Sequence, residues 1–248
     1  MANTSFKISK KKFVPMYFCV FLAFLLSELH DANANLPLCP FYDETTISTP
    51  CRFSPGVHVF TSLDINSDVF LETTSSAATQ SFQVIREFTL RKWAVLAMGY
   101  NQKPNSGAGH GSSGGSYGGR GGTDSARNLN IHQRLPYGSS LNISHAGSQG
   151  GNGGKGGGLL KIQALNATID GVIRVNGEQG EADRKSGGGS GGGIAIECEK
   201  LFGAGTMEVI GGLGRNLGGG GSGGRISVAC INDGFSGKFL SQGGKTGI

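Results

Sequence analysis

Gly187-Gly188-Gly189-Ser190-Gly191-Gly192-Gly193-Ile194-Ala195-Ile196 decides the fold, because its closing triplet has a counterpart on either side. Leu160-Lys161-Ile162 begins 34 residues earlier and Ile226-Ser227-Val228 begins 32 residues later. A second register keeps the same offsets: Gly171 to Gly177, Gly205 to Gly211 and Gly237 to Gly243 each enclose a short alternating segment. Each unit therefore reads as strand, short connector, strand and glycine-rich loop. One unit of two short strands cannot bury its apolar face alone, so units of this period must stack. The expected fold is all-β: a parallel β-helix, or β-solenoid, with glycine-rich repeats of 32 to 34 residues. Successive coils about 4.8 Å apart would then align Leu160 with Ile194 and Ile226, Ile162 with Ile196 and Val228, and Ala164 with Cys198 and Cys230. Arg174 and Glu208 fall at equivalent outward positions and are expected to pair. The glycine runs 187 to 193 and 218 to 224 are expected to take positive φ and to let neighbouring backbones approach closely.

Composition supports stacking over the alternatives. The chain holds 45 glycines in 248 residues, against a usual share of roughly 7 %. Only Gly56 and Gly99 precede Pro104, so the chain has two compositional halves. Glycine at this density excludes a helical bundle, and the lack of a Gly-X-Y period excludes collagen. Recurrent apolar triplets between the glycine runs argue against a disordered linker. In the first half, 57 to 60, 69 to 72, 82 to 90 and 93 to 98 read as strands, and residues 35 to 104 are expected to form an N-terminal β cap region before the solenoid of 105 to 248. The stretch from Thr123 to about Gly156, with Pro136 and few apolar residues, should be the most irregular. The third repeat reaches Ile248 without a capping segment. Further repeat sequence in the native product, or end-to-end self-association, is expected.

Lys7 and Lys10 to Lys12 precede an apolar run from Phe13 to Leu26, and a polar stretch ends at Ala32-Asn33-Ala34. This is the pattern of a secretory signal cleaved after Ala34. The run would rise only about 21 Å as a helix, short of a membrane core, and no later run reaches 18 residues, so no transmembrane span is expected. Removing residues 1 to 34 lowers the formal net charge from +5 to +3, too small an excess to argue for nucleic acid. Cys19 leaves with the signal. Cys39, Cys51, Cys198 and Cys230 remain for an oxidising compartment. Cys39 and Cys51 flank a short loop that a bridge would staple; Cys198 and Cys230 occupy equivalent sites of adjacent coils, either bridged or as a buried thiol ladder. No Cys-x-x-Cys spacing suggests zinc. Asn142-Ile143-Ser144 and Asn166-Ala167-Thr168 are glycosylation sequons.

The strings Gly107-Ala108-Gly109-His110-Gly111, Tyr137-Gly138-Ser139, Gly187 to Ile196 and Gly218 to Val228 occur in an order that resembles large glycine-rich secreted or cell-surface proteins, known chiefly from plants and some simple animals. Ser112-Ser113 and Asn152 to Lys155 depart from that pattern. The resemblance covers about residues 105 to 248 and implies location more than activity; members are usually longer and often membrane-anchored downstream.

Catalytic patterns dissolve on inspection. Gly-x-Ser-x-Gly, around Ser116, Ser190 and Ser222, occurs three times as a product of composition, without the strand-turn-helix setting of a hydrolase elbow. Gly244-Lys245-Thr246 lacks the first glycine of a phosphate loop, with Phe239 in its place. Asp124 lacks the spacing of a calcium-binding β-roll, and Tyr117 to Gly122 resembles an RNA-binding tract only once. Glu197 and Glu199, and the loop carboxylates Glu178, Glu181 and Asp183, read as a solvated face rather than a glycosidase pair. His110 reads as a turn residue. The chain is thus expected to have no catalytic, cofactor or metal residues and to be a non-catalytic secreted structural or adhesive module of a matrix, cell wall or cell surface. Its expected partner is an extracellular glycan or matrix protein. The alternative is a polysaccharide-active enzyme or carbohydrate-binding module on a parallel β-helix.

Overall fold

The computed structural model describes residues 36–72, 79–101, 107–123 and 134–248, and every strand belongs to the unit Pro37–Ile248. The signal at 1 to 34 with Cys19, and Asp124, lie outside the described residues. Among those residues there are fourteen strands and no helix. The chain alternates between two sheets. It passes through β1 (Glu44–Ile47), β2 (Cys51–Phe53), β3 (Gly56–Ile65), β4 (Val69–Leu71), β5 (Thr79–Leu90) and β6 (Val95–Met98). After β7 (Tyr100–Asn101) and β8 (Gly156–Gly157), an antiparallel pair, it continues through β9 (Leu159–Ile169), β10 (Val172–Arg174), β11 (Gly193–Phe202), β12 (Thr206–Glu208), β13 (Arg225–Asp233) and β14 (Lys238–Leu240). One six-stranded parallel sheet runs β1-β3-β5-β9-β11-β13 and the other β2-β4-β6-β10-β12-β14.

Alternation sets which side chains face the shared core, and parallel register turns them into columns. One column runs Phe60, Val84, Ala164, Cys198 and Cys230; another runs His58, Phe82, Ile162, Ile196 and Val228. On the second sheet the column is Cys51, Val69, Leu96, Ile173, Met207 and Phe239. Leu160, Ile194 and Ile226 align as the sequence offsets require. Above Leu160 in that column sits Gln80, a fully buried amide. It is tolerated because its Nε2 donates to the Ser54 and Glu72 carbonyls and its Oε1 accepts the Gly56 N–H. The sheets meet through edge-on aromatics, with Phe53 of β2 5.4 Å from Phe82 of β5 between ring centres.

The strands of residues 44 to 98 lie in the same two sheets as those of 159 to 240, as three further rungs. Two features differ from the sequence reading. β1 and β2 had no counterpart in the segments read as strands. Trp93, read as the start of a strand, is a turn residue with φ 74°, and Ala94 donates back to the Arg91 carbonyl. β6 begins only at Val95 because the chain must reverse there between the two sheets.

Candidate functional site: the glycine lattice and its tyrosine cluster

The glycine runs are ordered, and their hydrogen bonds reveal how. The N–H groups of Gly187 and Ser190 donate to Gly151 and Ser148; those of Gly188 and Gly191 to Gly219 and Ser222; those of Gly189 and Gly192 to Glu178 and Val175, all at 2.8–2.9 Å. Every third residue points to the same neighbour. That period belongs to an extended helix of three residues per turn, the polyproline II type, which has no internal hydrogen bonds and must bond laterally. Carbonyls of the same run accept from Gly154, Gly157, Gly115 and Gly212, so six neighbouring stretches surround it.

This packing explains the glycines differently from the expectation. No glycine in 187 to 193 or 218 to 224 has positive φ; among the described residues only Gly56, Gly111, Gly138 and Gly203 do. What the lattice requires is space. A Cβ on Gly187, Gly188, Gly189 or Gly191 would stand 1.9–2.0 Å from a carbonyl oxygen of the adjoining stretch. The missing side chain thus permits lateral hydrogen bonding rather than unusual dihedrals. The segment read as most irregular joins this lattice over residues 147 to 157: Gly147 donates to Gly157 and Gly150 to Gly154 within the segment, while Gly154 and Gly157 donate to Gly187 and Ser190 of the neighbouring run. Its order comes from contacts remote in sequence, which local composition does not display. Residues 124–133 lie outside the described residues.

The three Gly-x-Ser-x-Gly serines are lattice parts. All are buried. Ser116 Oγ donates to the Arg134 carbonyl and accepts from Gly121; Ser190 Oγ accepts from Ser148; Ser222 Oγ accepts from Tyr117. Beside them stands a tyrosine cluster. Tyr117, fully buried, donates its hydroxyl to the His145 carbonyl at 2.6 Å, and Tyr137 donates to Ala146 while accepting from Ser148 Oγ. Gly138 turns the chain here at φ 77°, the conformation for which the Tyr-Gly-Ser string needs its glycine. Arg225 clamps the cluster: its Nη2 donates to the Tyr117 and Tyr137 carbonyls and its guanidinium lies 5.4 Å from the centre of the Tyr117 ring. Arg225 was not among the residues singled out from sequence. The repeat alignment held the signal, since Arg225 stands where the preceding unit has Gly193.

Burial pushes the Tyr117 hydroxyl well above the ordinary tyrosine range; Tyr137 raises it further and Arg225 partly opposes both. The folded value thus exceeds the unfolded one of roughly 10, so the stability linked to the neutral hydroxyl is complete below about pH 10 and is lost as pH rises above it. Ultraviolet titration of tyrosinate should therefore show a late-titrating group whose ionisation coincides with unfolding and disappears in Tyr117→Phe. Complete titration at ordinary pH with the fold intact would contradict the buried hydroxyl.

The remaining singled-out residues fall at defined places. Cys39–Cys51 and Cys198–Cys230 are both disulfides, so the thiol-ladder alternative does not hold. Arg174 Nε meets Glu208 Oε2 at 2.8 Å across β10 and β12, the pairing expected from the repeat, in a half-buried rather than exposed setting. Asn142 is exposed, whereas Asn166 is half-buried within β9 between Glu87 and Lys200. Glu197 accepts from Gln163, Glu178 from the Lys155 N–H, and Arg184 pairs with Glu181 and Asp183. Glu199 is half-buried. His110 is exposed in a turn closed by Ser113, followed by Gly111 at φ 64°. Gly244 and Lys245 form part of a lattice stretch through bonds to Gly221 and Gly214. Among the described residues no cluster of three metal-ligating side chains occurs, and no helix is long and apolar enough to cross a membrane. Compared with known proteins, the chain matches no protein-family model, no curated protein and no solved structure.

Proposed function

We propose that this chain is a secreted, non-catalytic structural or adhesive module of an extracellular matrix, cell wall or cell surface. In this reading the two sheets are the walls of a parallel β-solenoid, and the glycine runs leaving its second wall form a laterally bonded extension. The observation that carries the reading is the internal engagement of the groups on which catalysis would depend. Ser116, Ser190 and Ser222 are buried, with hydroxyls committed to neighbouring backbone. The resemblance of residues 105 to 248 to glycine-rich surface proteins supports the same location, and two disulfides are compatible with it. In this setting Asn142 is the exposed glycan acceptor, and the partner is an extracellular glycan or matrix protein.

The test is expression of the full chain in a eukaryotic secretory host. The product should appear in the medium, begin after Ala34 and carry glycan at Asn142. The purified protein is then applied to a glycan array and to depolymerisation assays on the polysaccharides it binds. Retention without turnover is the expected result. Turnover lost in Glu197→Gln would replace this reading with the enzymatic one.

A further inference from the structure

The chain turns from the first sheet to the second once in every rung, and the third of these corners is built differently from its neighbours. Residues 66–68 make the second corner and 170–171 the fourth, whereas the third has four residues, Arg91 to Ala94. The extra length projects Trp93, which is 84 % exposed. Its φ of 74° puts a bulky side chain in the left-handed region, where a ring of this size is a strained outlier. The fifth corner meets the same demand with Gly203 at φ 112°, a residue without that cost. Turning the chain therefore does not call for an indole, and neither does burial. Strain of this kind, kept on a solvent-exposed loop, clusters at ligand contacts.

We propose that Trp93 is the stacking platform of a binding site for a neutral pyranose ring of an extracellular polysaccharide. The groups around the indole select that ligand. The Lys92 ammonium lies 5.1 Å from the ring centre and occupies one face, leaving the other to a sugar. Asp68 in the corner before and Asp170 in the corner after are both exposed. Each engages Oδ1 with a backbone N–H, that of Val95 at 3.1 Å and that of Ala204 at 3.0 Å, and each Oδ2 has no partner among the described residues. Carboxylate oxygens in this state accept hydrogen bonds from sugar hydroxyls, and the ammonium donates to hydroxyl oxygens. Arg91 adds no net charge, because its guanidinium is held by both oxygens of Asp64 at 2.6–3.0 Å. Two carboxylates against one ammonium disfavour uronates, sulfated sugars and anionic lipid headgroups alike. The assignment rests on the proposed extracellular setting, which brings polysaccharide to the protein, and names the contact within it.

Trp93 is the single tryptophan of the chain, so its fluorescence reports this site alone. Titration of the purified protein with cellohexaose, mannohexaose, laminarihexaose and chitohexaose should shift the emission to shorter wavelength with at least one of them, as the sugar strips water from the ring. Polygalacturonate should give no shift. In calorimetric titration Trp93→Gly should bind the responding sugar at least about tenfold more weakly, the scale of a tryptophan hot spot. The same variant should melt no lower than the parent, because glycine relieves the strained φ. Trp93→Tyr, which keeps a ring, should retain part of the affinity. Equal affinity in Trp93→Gly overturns the site and leaves the wider reading of a glycan-binding module standing. No response to any of the neutral sugars also overturns the site, while secretion and the absence of turnover still decide that wider reading. A Trp93→Gly protein that melts well below the parent makes the indole a packing residue, and a blue shift on phosphatidylcholine vesicles without one on sugars makes it a lipid contact; either result overturns the proposal.

Discussion

Gly189→Ala is expected to destabilise the protein by about 3 kcal/mol or more, at the upper end of what overpacking causes. Its Cβ would lie 1.9 Å from the Lys155 carbonyl oxygen, 2.4 Å from the carbonyl carbon and 2.8 Å from the Gly154 oxygen. All three are backbone atoms held by lateral bonds, so none can swing aside as a flexible side chain would. Two further substitutions separate the possible reasons for glycine. Gly119→Ala meets nothing closer than Ser222 Cβ at 3.9 Å and has no positive φ, so its effect should stay within about 0.5 kcal/mol. Gly111→Ala has open space but φ 64°, and strain alone should cost about 1 kcal/mol. Urea unfolding of the three variants gives the order. If Gly189→Ala were no worse than Gly111→Ala, lateral crowding would not be the reason for the glycine runs.

Removing the Cys198–Cys230 bridge should lower stability by between about 3 and 4 kcal/mol, from the loop entropy of a 32-residue separation. The loss should also be local. β13 and β14 are the last strands of their sheets and have neighbours on one side only, so the bridge is the covalent tie that holds this rung to β11. In Cys198→Ser/Cys230→Ser, hydrogen exchange should rise across residues 225 to 240 before it rises in β5 or β9, whose strands are paired on both sides. Uniform protection across the sheets in that variant, with an unchanged urea midpoint, would show that packing alone secures the terminal rung. Cys39–Cys51 ties down the chain at the opposite end, so each terminal rung of the stack has its own bridge.

The parallel pairing of residues 159 to 240 was legible because it is written twice. The offsets of 34 and 32 residues put Ile194 beside Leu160 and Ile226, and the observed register agrees residue for residue. The same offsets placed Cys198 against Cys230 and Arg174 against Glu208. The first three rungs carry no such repeat. Their strands were partly visible as Val, Phe, Ile and Leu segments, but membership in the same two sheets was not, since β3 to β5 spacing differs and β5 carries a register irregularity between Val84 and Glu87.

In the candidate site, glycine density and the three buried serines were visible as strings, and their roles were not. Sequence alone determined which segments repeat, which residues share a column and which cysteines could meet, because period-two alternation and a constant repeat length act along the chain. Only the tertiary structure decided that the glycine runs bond laterally, that Arg225 clamps Tyr117 and Tyr137, and that residues 147 to 157 are ordered. A three-residue-per-turn extended helix has no hydrogen bonds of its own, so whether such a stretch is a loose loop or a lattice depends entirely on neighbours that the chain brings from elsewhere.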